Sequence, residues 1–397
     1  MNSIRTRVFL FLTLFLGTLC AAADPAEETG NPLDIGDSPL GSDLTVDIPS
    51  DFATLQAAID ELATVRVGQS VRIILRIESG HRPASGVVVK DGNYSHFYIE
   101  AADRPVIVAS DFSGDFVRGE NAVMPTLACL VDMDDKGGDG YSARRNSRGQ
   151  VLRGCGVINA GSRGLYANET SFVGANRSNF SGANNRTLWV TRGSTVHAQG
   201  ADLSNGIKGE SGPASAVSAR RASVIDAQGA DISNANANAV SCDRASRMNL
   251  QDATITGAAG VAILAVRGSI VAAGRADLSG ASGNAIRVFA SGTVSAEHAV
   301  IDGAGSMGVF ASDGGNVSAN NAEITNSGSD GVRSTGGAVV AVVGATVTGS
   351  GGHDLRVEQG GTISAPDTVT SDGAPSLANT NVSEFSQPGP YGIIYGP

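Results

Sequence analysis

Four arginines, Arg192, Arg221, Arg244 and Arg267, follow one another at intervals of 29, 23 and 23 residues. A guanidinium is a planar, permanently charged fork of donors that pairs two-point with carboxylate or sulfate. Spaced at one turn of a regularly wound chain, such residues would form an anion-binding column. Arg220 sits beside Arg221, while Trp189 and Arg287 share a second position in the same phase. Ring faces stack on sugars as readily as on other rings, so the combination points to acidic carbohydrate. The candidate contact residues are therefore Trp189, Arg192, Arg220, Arg221, Arg244, Arg267 and Arg287. Asp243, in phase with Arg220 and next to Arg244, is the best single candidate for a catalytic carboxylate.

Other chemistry has less behind it. Glycosidases need two carboxylates roughly 5 to 10 Å apart, and lyases need a base beside a charge-neutralising cation. Tyr94, His96 and His81 form a second group, and His197 and His353 stand alone on outward strand positions. No Ser–His–Asp set, zinc spacing or phosphate loop emerges, and the Gly-rich stretches follow the 23-residue period as turns do. Acidic residues collect at Asp132, Asp134, Asp135 and Asp139 and recur at Asp202, Asp231, Asp277 and Glu323. Solvated negative faces are the plainer reading, with Ca²⁺ binding the alternative. The first group departs from the EF-hand pattern, with Lys136 at the fifth position and no glutamate at the twelfth. No cofactor is required.

The elements that would position these residues follow from a repeat. Leu165, Leu188, Val217, Val240, Ile263, Ile286, Val309, Val332 and Leu355 are spaced by 23 residues, with one step of 29. A second track runs through Phe180, Leu203, Ile232, Ile255, Leu278, Ile301, Ile324 and Val347, and a third through Val196, Ile225, Met248, Val271, Val294, Val317, Val340 and Ile363. The irregular step locates the extra residues around Gly206 to Pro213. A fixed period with apolar tracks in phase is the signature of a solenoid. Alternation at each anchor, as in Val294-Ser295-Ala296, makes the units strands. Three strands of three to five residues per coil, separated by Gly, Asn, Ser and Asp turns, describe an all-β, single-stranded parallel β-helix. From the Leu188 coil to the Val332 coil the position thirteen after the first anchor is always alanine (Ala201, Ala230, Ala253, Ala276, Ala299, Ala322, Ala345), as a narrow interior demands.

Composition agrees. Of 397 residues only 5% are aromatic and 52 are glycine, which suits stacked coils better than an ordinary globular core. The net charge of −11 disfavours nucleic acid as a partner. Arg5 and Arg7, the apolar run Val8 to Cys20 and the small residues Ala21 to Ala23 read as a secretory signal peptide over 1–23. The exported protein would be extracellular or on a cell surface, with no membrane attachment after cleavage. A flexible linker follows over 24–43, then an N-terminal cap with irregular first coils over 44–150. The regular β-helix occupies 151–365 and a tail 366–397. Phe52, Leu55, Ala58, Ile59 and Leu62 recur at helical spacing behind a Ser or Asp N-cap, a helix suited to closing the end of the solenoid. Cys129 and Cys155 are available for one bridge, and Cys242 falls at an inward position.

The run Ile48-Pro-Ser-Asp-Phe-Ala-Thr-Leu-Gln-Ala-Ala-Ile59 resembles the segment that opens many pectate-lyase-like right-handed β-helix proteins. Asp91-Gly-Asn-Tyr-Ser-His-Phe-Tyr-Ile-Glu100, Gly154-Cys-Gly-Val-Ile-Asn-Ala160, Gly164-Leu-Tyr-Ala167 and the repeated Gly-Ser-x-Val/Ile-x-Ala resemble phage tail-fibre or tailspike proteins and their secreted bacterial relatives. The resemblance spans about residues 45 to 365 and implies a right-handed β-helix that binds a polysaccharide or cell-surface glycan. A secreted adhesin or fibre-like module without catalysis is the leading expectation. A polysaccharide lyase or glycoside hydrolase acting on acidic polysaccharide is the alternative, and a virion fibre for host attachment is a second. Such fibres often form homotrimers, although no coiled-coil heptad accompanies the pattern here.

Overall fold

The computed structural model describes residues 39–208, 214–371 and 393–395. Over these residues the chain winds into the expected right-handed parallel β-helix, of about 13 turns. The signal peptide read at 1–23, most of the linker, the tip of the long loop and most of the tail lie outside the described residues. Among the described residues no helix is long and apolar enough to cross a membrane.

Each apolar track becomes one face. The first lies on a twelve-stranded parallel sheet from Ser85–Lys90 to Leu355–Val357, and the third on an eleven-stranded sheet from Arg148–Gln150 to Ile393–Tyr395. Register pairs anchor with anchor, Leu165 with Leu188, then Val217, Val240 and Ile263, so the 29-residue interval is still one turn. Its extra residues fall between Leu203 and Ala216, and 209–213 lie outside the described set. The anchors are buried, at most 5% exposed at Leu355, and the alanine column is no more than 2% exposed, at Ala322.

The second track departs from the expected strands. A four-stranded sheet forms only from Val300–Asp302 to Val369–Thr370. In the coils before it the third face narrows to single bridges through Asn179, Asp202, Asp231, Thr254, Asp277 and Val300. The cause is local. Asp202, Asp231 and Asp277 each accept a hydrogen bond from the N–H of the serine two residues on, at 3.1, 2.9 and 3.1 Å. Such side-chain bonds compete with the ladder for backbone donors.

The first coils use a four-stranded sheet of Leu44–Ile48, Ile73–Ile77, Phe97–Ala101 and Thr126–Leu127. The apolar run from Leu127 to Met133 turns a corner, passing to a separate strand at Leu130–Asp132. The helix spans Leu55–Leu62 and buries Leu55, Ala58, Ile59 and Leu62. Its N-cap is Thr54, whose hydroxyl accepts from Ala57 N–H at 3.1 Å, and Phe52 lies before it. Gln56 on its outer side accepts from Val88 N–H at 2.7 Å, covering the edge strand of the twelve-stranded sheet. Cys129, Cys155 and Cys242 are buried and unbridged.

Candidate functional site

The arginine column depends on a backbone turn. On the twelve-stranded sheet the fourth residue after each anchor leaves the strand with positive φ: 56° at Glu169, 54° at Arg192, 57° at Arg221, 53° at Arg244 and 51° at Arg267. Strict alternation would aim that side chain inward, and the left-handed residue cancels the alternation. Successive turns are tied by backbone bonds, from Thr170 N–H to Arg192 O at 2.9 Å, Gly193 to Arg221 at 3.0 Å, Ala222 to Arg244 at 2.9 Å and Ala245 to Arg267 at 3.0 Å. The four arginines therefore stand on one edge, a rung apart, with about 4.8 Å between strands.

Two outward rows run beside this column. One carries Tyr166, Trp189, Ser218, Ser241, Leu264 and Arg287, and the other Asn168, Thr191, Arg220 and Asp243. Tyr166 and Trp189 stack with ring centres 5.2 Å apart. Arg163 and Arg186, two residues before their anchors, cover the rings from one flank, with Arg163 Cζ 3.9 Å from the Tyr166 centroid and Arg186 Cζ 4.7 Å from that of Trp189. On the opposite flank a 200 Å³ pocket opens, lined by Tyr166, Asn168, Trp189, Thr191, Arg192, Arg220, Arg221 and Arg244.

The charges around it are unevenly paired. Arg192 bonds Glu169, the same turn one coil back. Arg267 donates through Nε and Nη2 to both oxygens of Asp243, at 2.6 and 2.7 Å, and Arg244 Nε stands 3.8 Å from the same carboxylate. Asp243 is 3% exposed, so its charge is neutralised by the column it helps to hold. Arg220 and Arg221 form no ion pair with any described residue. Five of the seven candidate contact residues thus line one pocket. Arg267 stands on the next rung, against Asp243. Arg287 is four rungs from Trp189, about 19 Å along the ladder, packed near the rings of Phe289 and Phe310 at 5.4 and 6.0 Å.

A supporting network escaped the sequence reading. Asp139, 1% exposed, accepts from Arg163 Nε at 2.6 Å and Arg144 Nη2 at 3.1 Å, and the same Nη2 reaches Asp115 at 3.0 Å. Burial raises the Asp115 carboxyl above its ordinary value, and the Asp139 charge adds to the effect. Arg144 Cζ lies 5.3 Å from the Tyr166 ring, so the two acids brace the guanidinium groups that hold this ring. Arg163 and Arg186 share one phase of the repeat, which was the available signal; Asp139 lies 24 residues before Arg163, one out of step, and Asp115 lies in an irregular coil, so neither had one.

The remaining candidates are dispersed. His96 packs on Phe97 at 4.4 Å and burial lowers its imidazole below the ordinary value, whereas Tyr94 donates to Lys90 O at 3.1 Å. His81 lines a separate pocket with Asp103 and Arg104. His197 meets Phe172 edge-on at 5.2 Å. In the acidic turn Asp135 pairs with Lys208 at 3.2 Å and Asp132 accepts from Asn159 at 3.0 Å. Among the described residues no three His, Cys, Asp or Glu side chains gather as a metal site.

No protein-family model matches the sequence, and no curated protein does. Among solved structures the chain is similar to the Dettilon tailspike protein, at 12% identity and a TM-score of 0.46 over 89% of this chain and 68% of that one. It is also similar to the catalytic unit of the thermostable GH87 α-1,3-glucanase from Streptomyces thermodiastaticus strain HF3-3, at 15% identity and a TM-score of 0.37 over 84% and 69% of the two chains. Likenesses of this size say nothing of substrate or reaction.

Proposed function

We propose that this chain is an exported β-helix protein that binds acidic carbohydrate on the outer face of its twelve-stranded sheet, as an adhesin or fibre-like module that performs no chemistry on its ligand. The observation that carries the reading is the arginine column beside the Tyr166–Trp189 rings. Stacked left-handed turns hold Arg192, Arg221, Arg244 and Arg267 at one-rung spacing, and Arg220 adds a further cation free of described ion-pair partners. On a chain of net charge −11, Arg220 and Arg221, which have no ion-pair partner among the described residues, make this face a local attractor for polyanions. Guanidinium forks match carboxylate and sulfate, and the rings offer a flat wall. Arg267 and Arg287 extend the same face for a longer chain.

The test is an array of uronate-containing and sulfated glycans, with Arg221→Ala and Arg244→Ala combined in one variant. Binding by the parent protein and a loss of at least about tenfold in the variant, equivalent to 1.4 kcal/mol, are expected. New reducing ends or ultraviolet-absorbing unsaturated ends in the same incubations would overturn the binding-only reading in favour of a glycosidase or a lyase.

A further inference from the structure

Buried polar atoms without partners are rare, and each calls for an explanation. Three of them belong to residues that line the pocket, Asn168 Oδ1, Trp189 Nε1 and Arg220 Nε, and a fourth, Ser218 Oγ, stands one rung from Trp189. Register places them within three successive coils, Asn168 and Arg220 on one outward row, Trp189 and Ser218 on the other. Asn168 is only 8% exposed and still lines the pocket. The group combines an indole N–H, a guanidinium N–H, a carboxamide and a hydroxyl, with the Arg221 charge adjacent. That is a set of donors and acceptors waiting for a ligand that carries hydroxyls as well as an anion. A sulfate ion alone would leave the carboxamide oxygen unpaired.

Size narrows the ligand. At 200 Å³ the pocket is smaller than the roughly 300–1,000 Å³ of sites for drug-sized molecules, so it holds one ring. Resting on the acidic-glycan reading above, we infer that this pocket takes a single anionic sugar unit. Its carboxylate or sulfate sits on Arg220 and Arg221, one ring hydroxyl donates to Asn168 Oδ1, and another accepts from Trp189 Nε1–H. The column then follows the rest of the glycan, while the pocket reads one residue of it.

Trp189 is the single tryptophan in the chain, so its emission reports on the pocket directly. Titration of the full chain with D-glucuronate, glucose 6-sulfate, glucose and acetate is expected to give a saturable change with at least one anionic sugar. That sugar should bind at least tenfold more tightly than glucose or acetate, and the preferred one identifies the anion. Asn168→Ala and Arg220→Ala should each weaken it at least tenfold, and Asn168→Asp, which keeps the shape and adds a repelling charge, more strongly still. Arg275→Ala, on a distant corner and paired with Asp252, should change nothing, and circular dichroism establishes that each variant is folded. An equal response to acetate, or unchanged affinity in the folded Asn168 variants, would overturn the inference. If acidic polysaccharides bind while no monosaccharide alters the emission, the pocket inference falls and the column reading stands. If the monosaccharide binds and polysaccharides do not, the pocket stands and the column reading falls; if nothing binds, both fall.

Discussion

Arginine is a costly choice at a left-handed backbone position, since a side chain with a Cβ is disfavoured there. The residue that follows pays the same strain in several coils, with φ 59° at Ala222 and 57° at Ala245, where other coils carry Gly193, Gly268 and Gly314 at 72°, 68° and 70°. Both alanines are exposed, so removal of their methyl groups costs little packing. Ala222→Gly and Ala245→Gly should therefore each stabilise the fold by about 1 kcal/mol, the left-handed penalty outweighing the extra chain entropy of glycine. Chemical denaturation of the two variants checks this, and a midpoint lowered in both would mean that the turns are held in this conformation by something other than their own residues. The position of the arginines was legible from spacing alone, because period and phase determine which residues share an edge. Asn168 and Asp139 were not. Asn168 is a polar residue on an outward row and Asp139 one in the turn before a strand, and only the side chains of neighbouring coils decide that they are covered rather than solvated.

Strands and caps differ in how they respond to charge. The first strand, Leu44–Ile48, is tied to Ile73–Ile77 by backbone pairing and by two ion pairs, Asp43 with Arg72 and Asp47 with Arg76, both at 2.6 Å. Hydrogen bonds from Arg72 hold the Asp43 carboxyl below its ordinary 3.8, and those from Arg76 do the same for Asp47. A carboxyl lowered in the folded state stabilises it above its unfolded value and loses that contribution as pH falls through the lowered one. Acidification from about pH 4 to pH 2 should accordingly release this strand before the regular coils, which are joined mainly by uncharged pairs. Amide exchange resolved by peptide tests the order; equal protection of 44–48 and of the later coils down to global melting would refute it. At this scale the two long sheets could be read from their anchors, whereas the third face could not. Its apolar residue repeats as faithfully as the others, but Asp-x-Ser capping diverts the flanking amides, and the track of buried side chains is blind to where backbone donors go. The split at Ala128-Cys129 escaped for a related reason: a continuous apolar run does not reveal that the chain turns a corner inside it.

In the whole β-helix each coil is paired only with its neighbours, so the fold is a sum of equivalent interfaces rather than a single closed core. The consequence is a rule about length. Removal of residues 286–308 joins Ala285 to Val309, one anchor replacing another, and the 23 deleted residues make one full turn. Val309 then takes the place of Ile286 above Ile263, every track stays in phase, and the pocket around Trp189, several rungs away, keeps all its residues. Removal of 286–297 deletes about half a turn, brings strand residues opposite turn residues, and exposes side chains that belong inside. The first deletion should give a soluble protein with the parent's strand signal per residue, cooperative melting and unchanged Trp189 emission, while the second should lose all three. Circular dichroism and fluorescence on the two proteins decide it. Because the first deletion also removes Arg287, its affinity for an acidic polysaccharide measures how far along the face the ligand reaches: retention confines recognition to the rungs around Trp189, and loss extends it four rungs further. Failure of the full-turn deletion to fold would mean that the coils are not interchangeable, and that the equal spacing of the anchors hides contacts specific to each turn.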